Sequence, residues 1–310
     1  MPFLTRHRPN VGLDVGSAFV RVVALRRTRE GWSLVAAGEA PRNAPDDPPD
    51  TNDANVRATV HRLLDDLKLR RVSVAVAVPA GAAIVRRLSL PTDSLSDLTR
   101  HVDFEAEQHL PFASEDACVS YQVLDRRRRS AGQSTDPTTL DVLLGAARRS
   151  EVAERTSLAV GRGRRVSVAD VEGLALANAF TLNYPDQCDS AWLVHVGHRS
   201  TVVSVIERGE LTATRGIGLG AAADGTNAKD MVAAIRQLSA PENPERLFLS
   251  GGAWQADGLP SRLRAEFGVP AEPFDPRRRI RTSAASRGAD LVGPPFALAV
   301  GLALRGRRDA

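Results

Sequence analysis

Lysine is nearly absent from this chain: Lys68 and Lys229 are the two lysines in 310 residues, so the positive side of a net charge of +4 is almost entirely arginine. A GC-rich coding bias accounts for that preference without any function. Cysteine is equally scarce. Cys118 and Cys188 stand far apart with no C-x-x-C pairing, which argues against a disulfide framework or a thiolate metal site and fits a reducing cytoplasm. Aromatic residues make up 5% of the chain, too few to offer a series of base-stacking platforms, and no recognised reader motif interleaves with the arginines. Nucleic acid is therefore not expected as a partner. The longest apolar stretches, "VSVAVAVPAGAAIV" (72–85) and "PPFALAVGLAL" (294–304), fall short of the roughly 20 residues of a membrane helix. The opening "MPFLTRHRPN" lacks an apolar core of signal-peptide length, so no export signal is expected. Also missing are a P-loop lysine, a G-x-S-x-G elbow and H-E-x-x-H spacing, which leaves the common nucleophile and zinc chemistries without residues.

What the chain does have is 43% hydrophobic content, enough for a large core in one large domain or two moderate ones. Arginines cluster at 126–129, 277–281 and 305–308. These runs read as solvated loop and tail charge in preference to a surface for an acidic membrane face or partner.

Residues 11–40 read as strand, glycine turn, strand, turn and strand. A Pro/Asp/Asn-rich loop (41–53) follows, and then Val56, Val60, Leu63, Leu64 and Leu67 repeat at helical spacing. The segment "RRVSVAVAVP" alternates as a strand. Between 84 and 166 the pattern predicts a helix that opens at "SLSD" and ends at "HLPF", two strands flanking a polar loop, and a helix from about Ser150. "RVSVADVEGLALANAF" gives a strand, an acidic corner and an apolar helix. A second meander begins near Ala191, a single short helix fits between Leu219 and Pro244, and "GPPFALAVGLALR" reads as a final helix.

The two meanders repeat one device: an apolar strand with one polar residue, Asp14 or His195, then Val-Gly, a turn and a second strand. Duplication of this kind predicts two related lobes across a cleft. Tight glycine turns present backbone N–H groups that bind phosphate oxygens, and a carboxylate at the strand end can hold the accompanying hydrated magnesium.

In sequence, "GLDVGSAFVRVVAL" resembles the first phosphate motif of the actin-like ATPase superfamily, "WLVHVGHRSTVVSVI" the second, and "LFLSGGAW" its adenosine-contacting segment. More narrowly, "FEAEQHLPFASEDACVSYQVLD", "VADVEGLALANAF", "RGELTATRGIGLG" and "PPFALAVGLALR" resemble the PilM family of type IV pilus assembly proteins, with the cell-division protein FtsA a more distant match. The resemblance runs from Val11 to Arg305. It implies an α/β, actin-like ATPase fold of duplicated ribonuclease H-like lobes with an inserted small α/β subdomain and a shortened second lobe. The expected division is a first lobe (1–83), the inserted subdomain (84–166), a return to the first lobe (167–190), a truncated second lobe (191–294), and a C-terminal helix with a basic tail (295–310).

Carried over by position, the resemblance assigns Asp14, Gly16 and Ser17 to the first phosphate loop, with Asp14 also the magnesium ligand if nucleotide binds. It assigns His195 and Gly197 to the second loop and Gly251 and Gly252 to the adenosine segment. Glu172 falls where relatives that hydrolyse ATP place the acid that orients water; a helix-start acid favoured by the macrodipole is the equal alternative. Two departures weigh against ATP with magnesium as a working cofactor. His195 replaces an aspartate, and imidazole can donate to a phosphate or bond the neighbouring backbone but cannot anchor a hydrated magnesium. The short 220–246 span leaves little room for the subdomain that contacts the base. The expectation is thus a pseudo-ATPase scaffold of a type IV pilus or related type II secretion-like machine, at the cytoplasmic face of the inner membrane. By resemblance it docks the N-terminal tail of a PilN-like inner-membrane protein between the first lobe and the inserted subdomain, links to the pilus assembly ATPase complex, and meets the membrane only through partners. Phe104, Leu110 and Phe112 are the expected groove residues, with helix-end packing as their alternative. An active Mg-ATP-dependent switch and an FtsA-like division protein are the competing expectations.

Overall fold

The structure, a computed structural model, describes residues 8–42, 53–91, 95–124, 139–186, 189–221, 228–238 and 243–305. Strand β1 (Asn10–Val15), β2 (Phe19–Thr28) and β3 (Gly31–Pro41) form the antiparallel meander that the alternation predicts. Helix α1 (Asp53–Asp66) lays Val60, Leu63 and Leu64 on Val11, Leu13, Val20 and Val22, so its periodic face is buried as expected. Strand β4 (Ser73–Val78) then pairs parallel with β1.

The next segment corrects the sequence reading by one strand. Besides α2 (Leu95–His109), β6 (Ala117–Val123), β7 (Thr139–Arg148) and α3 (Arg149–Ser157), it contains β5 (Ala83–Pro91), and the three strands form an antiparallel sheet in the order β5-β7-β6. β5 carries Arg86 and Arg87 in place of clean alternation. Arg87 reaches Asp141 (3.3 Å) and Glu210 (3.9 Å), so its charge serves a contact with the opposite lobe. The arginine run at 126–129 lies outside the described residues.

Strand β8 (Arg165–Val171) rejoins the first sheet parallel to β4, and α4 (Glu172–Asn183) follows. The second meander, β9 (Ser190–Val196), β10 (Thr201–Glu207) and β11 (Glu210–Ile217), leads to α5 (Ala228–Gln237), β12 (Arg246–Ser250), α6 (Leu259–Phe267) and β13 (Ala271–Pro273). Strand β14 (Ile280–Arg281) and α7 (Ala297–Leu304) complete the chain. The first sheet runs β14-β3-β2-β1-β4-β8 and the second β11-β10-β9-β12-β13. Each contains a reversed meander followed by a parallel crossover strand, so the duplication seen in sequence is a duplication of topology.

Helices α4 and α7 lie between the two sheets. Their buried residues, among them Leu176, Phe180, Leu298 and Leu302, share one core with Val23 and Leu25 of the first sheet and Leu193 and Phe248 of the second. α7 packs too closely for side chains at two points, once against α4 and once against β1. A Cβ at Gly301 would lie 1.8 Å from the Ala175 carbonyl oxygen, and one at Gly12 would lie 2.0 Å from that of Ala299.

Candidate functional site

Alternation along the strands sets the cleft. Gly12 faces α7, so Asp14, two residues on, shares that inner face at the end of β1. Leu193 faces the same core, which puts His195 at the corresponding end of β9. The turns that follow are the same device: Gly16 N–H donates to Phe19 O and Gly197 N–H to Ser200 O, each at 2.9 Å. Both glycine N–H groups are thereby engaged inside their own turns. Ser17 sits half-buried in the first turn. The second turn is also covered by the chain that leaves β11: Ala221 N–H donates to Gly197 O (3.2 Å), Thr201 Oγ1 to Leu219 O (2.8 Å), and a Cβ on Gly220 would lie 2.6 Å from Arg199 backbone.

Arg21, which sequence reasoning missed, dominates the space between the turns. It is the cross-strand partner of Asp14 and is buried. Its Nε donates to Glu39 Oε2 at 3.1 Å, and its guanidinium carbon lies 5.2 Å from the Phe19 ring centre and 5.8 Å from that of Phe296. A Cβ on Gly252 would stand 3.3 Å from Arg21 Nη2, so the arginine spans from the first lobe to the Gly251–Gly252 turn. Gly251 adopts φ +91°, and its missing Cβ would meet the Val196 carbonyl at 2.2 Å, which makes glycine obligatory there. The signal for Arg21 was present, since a hairpin closing at Gly16 pairs Asp14 with the residue seven positions on.

His195 shares a 3.0 Å hydrogen bond with Ser250 Oγ. The sequence reading offered phosphate donation or a backbone bond; the partner is a side chain of the adjacent parallel strand. Burial, reinforced by the Arg21 charge, pushes the imidazole pKa down to about 3, so it is neutral. Burial pushes Asp14 up to about 6 against the opposing Arg21 and Arg155 charges. Glu172 opens α4, and its Oε2 accepts from Ala80 N–H at 2.8 Å. Burial, with the Asp14 charge adding to it, raises Glu172 to about 7 despite that hydrogen bond and Arg155.

Magnesium does not fit these residues. The ion needs a carboxylate with room for water and phosphate oxygens, whereas Asp14 is buried beside a fixed guanidinium and its counterpart His195 is neutral and tied to Ser250. Among the described residues no group of three or more His, Cys, Asp or Glu side chains could hold a metal.

A second feature is a groove between the first sheet and the small sheet, with about 180 Å³ of free space. Consecutive residues of β6, Cys118 to Gln122, and of β8, Ala169 to Val171, line it, so it lies between two strand edges and extends onto one face of the small sheet. Both strands are the outer strands of their sheets. Leu143, Gly145 and Ala147 of β7 face it, while the alternate residues Val142 and Leu144 pack with Leu98, Val102 and Ala106 of α2 on the opposite side. The groove residues expected from sequence lie apart from this channel. Phe104, 61% exposed on α2, and Leu110 and Phe112 beyond its end are not among the lining residues; Phe112 instead stacks with Arg148, whose guanidinium carbon is 4.2 Å from the ring centre. The 277–281 arginines are likewise engaged locally, Arg277 with Ala289 O (2.6 Å), Arg278 over Tyr184 (5.0 Å) and Arg281 with Glu30. No helix among the described residues is long and apolar enough to cross a membrane.

Solved structures share this architecture. A PilM-PilN type IV pilus biogenesis complex aligns with a TM-score of 0.76 at 22% identity, over 96% of this chain and 98% of that one. A protein of unknown function with an actin-like ATPase fold from Bacteroides thetaiotaomicron aligns at 0.51 and 11% identity, over 94% and 96%. The cytoplasmic domain of EpsL, an inner-membrane component of the type II secretion system of Vibrio cholerae, aligns at 0.50 and 12% identity, over 96% and 95%. The fold is therefore actin-like. The family model for type IV pilus assembly protein PilM matches residues 12–243, and the chain belongs to that family.

Proposed function

We propose that this protein is a docking scaffold of a type IV pilus assembly machine, holding the N-terminal tail of a PilN-like inner-membrane protein in the groove between β6 and β8. The carrying observation is the edge-to-edge geometry of that groove. Two outer strands flank a narrow channel of apolar and uncharged polar side chains, Ser120, Gln122 and Asn178 among the latter, which suits an extended segment better than a folded domain. Membership of the PilM family and likeness to a solved PilM-PilN complex support the choice of partner. In this reading the protein works at the cytoplasmic face of the inner membrane and is held there by its partner.

The nucleotide cleft has become structural. Arg21 fills the space between the turns, the second turn is covered by Leu219–Ala221, and His195 is locked to Ser250. One observation favours a second reading, an ATP-driven switch: Glu172, raised to about 7, lies within the electrostatic reach of Asp14. Calorimetric titration separates the two. The scaffold reading expects heat from the tail peptide and none from ATP with or without magnesium; magnesium-dependent ATP binding would establish the switch.

A further inference from the structure

We propose that Arg305 is a specificity-determining residue of the β6–β8 groove, presenting its guanidinium to an oxygen acceptor on the docked segment, and that Asp170 is the positioning residue that holds it there. This rests on the docking reading above and adds what the groove selects for.

The two charged side chains among the groove's lining residues are Asp170 and Arg305. Asp170 is buried, with a side-chain exposure of 3%, and both of its oxygens are engaged within the chain. Oδ1 accepts from Val171 N–H at 3.0 Å, and Oδ2 lies 2.9 Å from Arg305 Nε in a close ion pair that is poorly aligned as a hydrogen bond. The carboxylate is thus not available to a ligand. Arg305 is different: its side chain is 41% exposed while its backbone is anchored, because it directly follows the buried helix α7 and its N–H donates to Leu302 O at 3.0 Å. One edge of a planar five-donor group is fixed, and the Nη atoms have no other partner among the described residues.

A segment that covers the groove takes those Nη donors out of water. Buried donors without acceptors are destabilising, more so when charged, so the segment must bring an oxygen to them. The rest of the lining is uncharged: Cys118, Ser120, Leu143, Gly145 and Ala147. The occupant that fits is an extended, largely apolar segment with one carboxylate or carboxamide side chain opposite Arg305. A basic side chain at that point would be repelled.

The probe is a synthetic peptide of the N-terminal tail of the organism's PilN-family protein, fluorescently labelled and titrated with wild-type protein, Arg305→Lys, and the double variant Arg305→Met with Asp170→Leu. Lysine keeps a positive charge beside the buried carboxylate and so preserves the fold, but lacks the planar fork. The double variant removes both charges together and avoids stranding one. Thermal melts accompany each titration. The expected result is folded variants whose affinity for the peptide is weaker by at least about tenfold, the loss of one charge-assisted hydrogen bond. Unchanged affinity in both variants overturns the assignment while leaving the docking reading intact. Tighter binding also overturns it, since Arg305 would then be a plug. No binding to folded wild-type protein ends the docking reading and this inference with it.

Discussion

Glu172→Gln isolates the electrostatic state of the cleft. In the folded protein Glu172 titrates at about 7 against an ordinary 4.5, principally because it is buried, with the Asp14 charge adding to the rise. The native state therefore holds a proton that the unfolded chain has released. The stability this contributes is complete below pH 4.5 and is lost as pH rises to about 7. A shift of this size corresponds to about 3 kcal/mol. Glutamine carries no such penalty and its carbonyl can still accept from Ala80 N–H, so the variant should gain on wild type progressively across that window, by about 3 kcal/mol above it. His195 works in the opposite sense. It titrates at about 3 in place of 6.5, so its contribution is complete above pH 6.5 and lost as pH falls. Between pH 5 and 6 the unfolded state holds the proton of His195 and the folded state does not. Stability of His195→Gln relative to wild type should therefore fall by about 1.4 kcal/mol per pH unit as pH rises through that range. Urea unfolding across this range, compared as variant minus wild type, cancels the other titrating groups. A difference between Glu172→Gln and wild type that stays flat with pH, or favours wild type at high pH, would refute this picture of the cleft.

Other outcomes follow from packing. Gly301→Ala forces a methyl against the Ala175 backbone, which cannot swing aside, and should destabilise by about 2–3 kcal/mol in urea unfolding, outweighing the better helix propensity of alanine. Gly145→Val is the reverse case. A Cβ there meets nothing closer than Ser120 O at 3.9 Å, so the fold should keep its wild-type melting temperature while the groove narrows and tail-peptide affinity falls by at least about tenfold in anisotropy titrations. Ser250→Ala removes the partner of a buried imidazole and should cost about 1–2 kcal/mol of stability.

Much of the fold was legible because its signals are local. The twin hairpins, the α1 face and the apolar α7 follow from alternation, helical period and glycine turns within single segments, and the ordered motifs led to the family. β5 was not legible because Arg86 and Arg87 interrupt its alternation, and Arg87 serves acids on β7 and β11 that are distant in sequence. The Ser250 partner of His195 depends on parallel pairing of β9 with β12, 55 residues apart. The place of the groove, between the first lobe and the inserted subdomain, was expected, but the residues that line it escaped for the same reason. Cys118, Gly145 and Asp170 read as ordinary strand residues, and only the docking of one sheet edge against another makes them walls of a channel.

A partner tail in the groove between β6 and β8 covers Cys118, half-buried in its lining, so this thiol reports directly on occupancy. With Cys188→Ser leaving one thiol, the rate of Cys118 alkylation is measured without and with saturating tail peptide of the PilN-family protein. Strong protection by the peptide is expected; an unchanged rate while the peptide is demonstrably bound would place the partner elsewhere and refute docking in this groove.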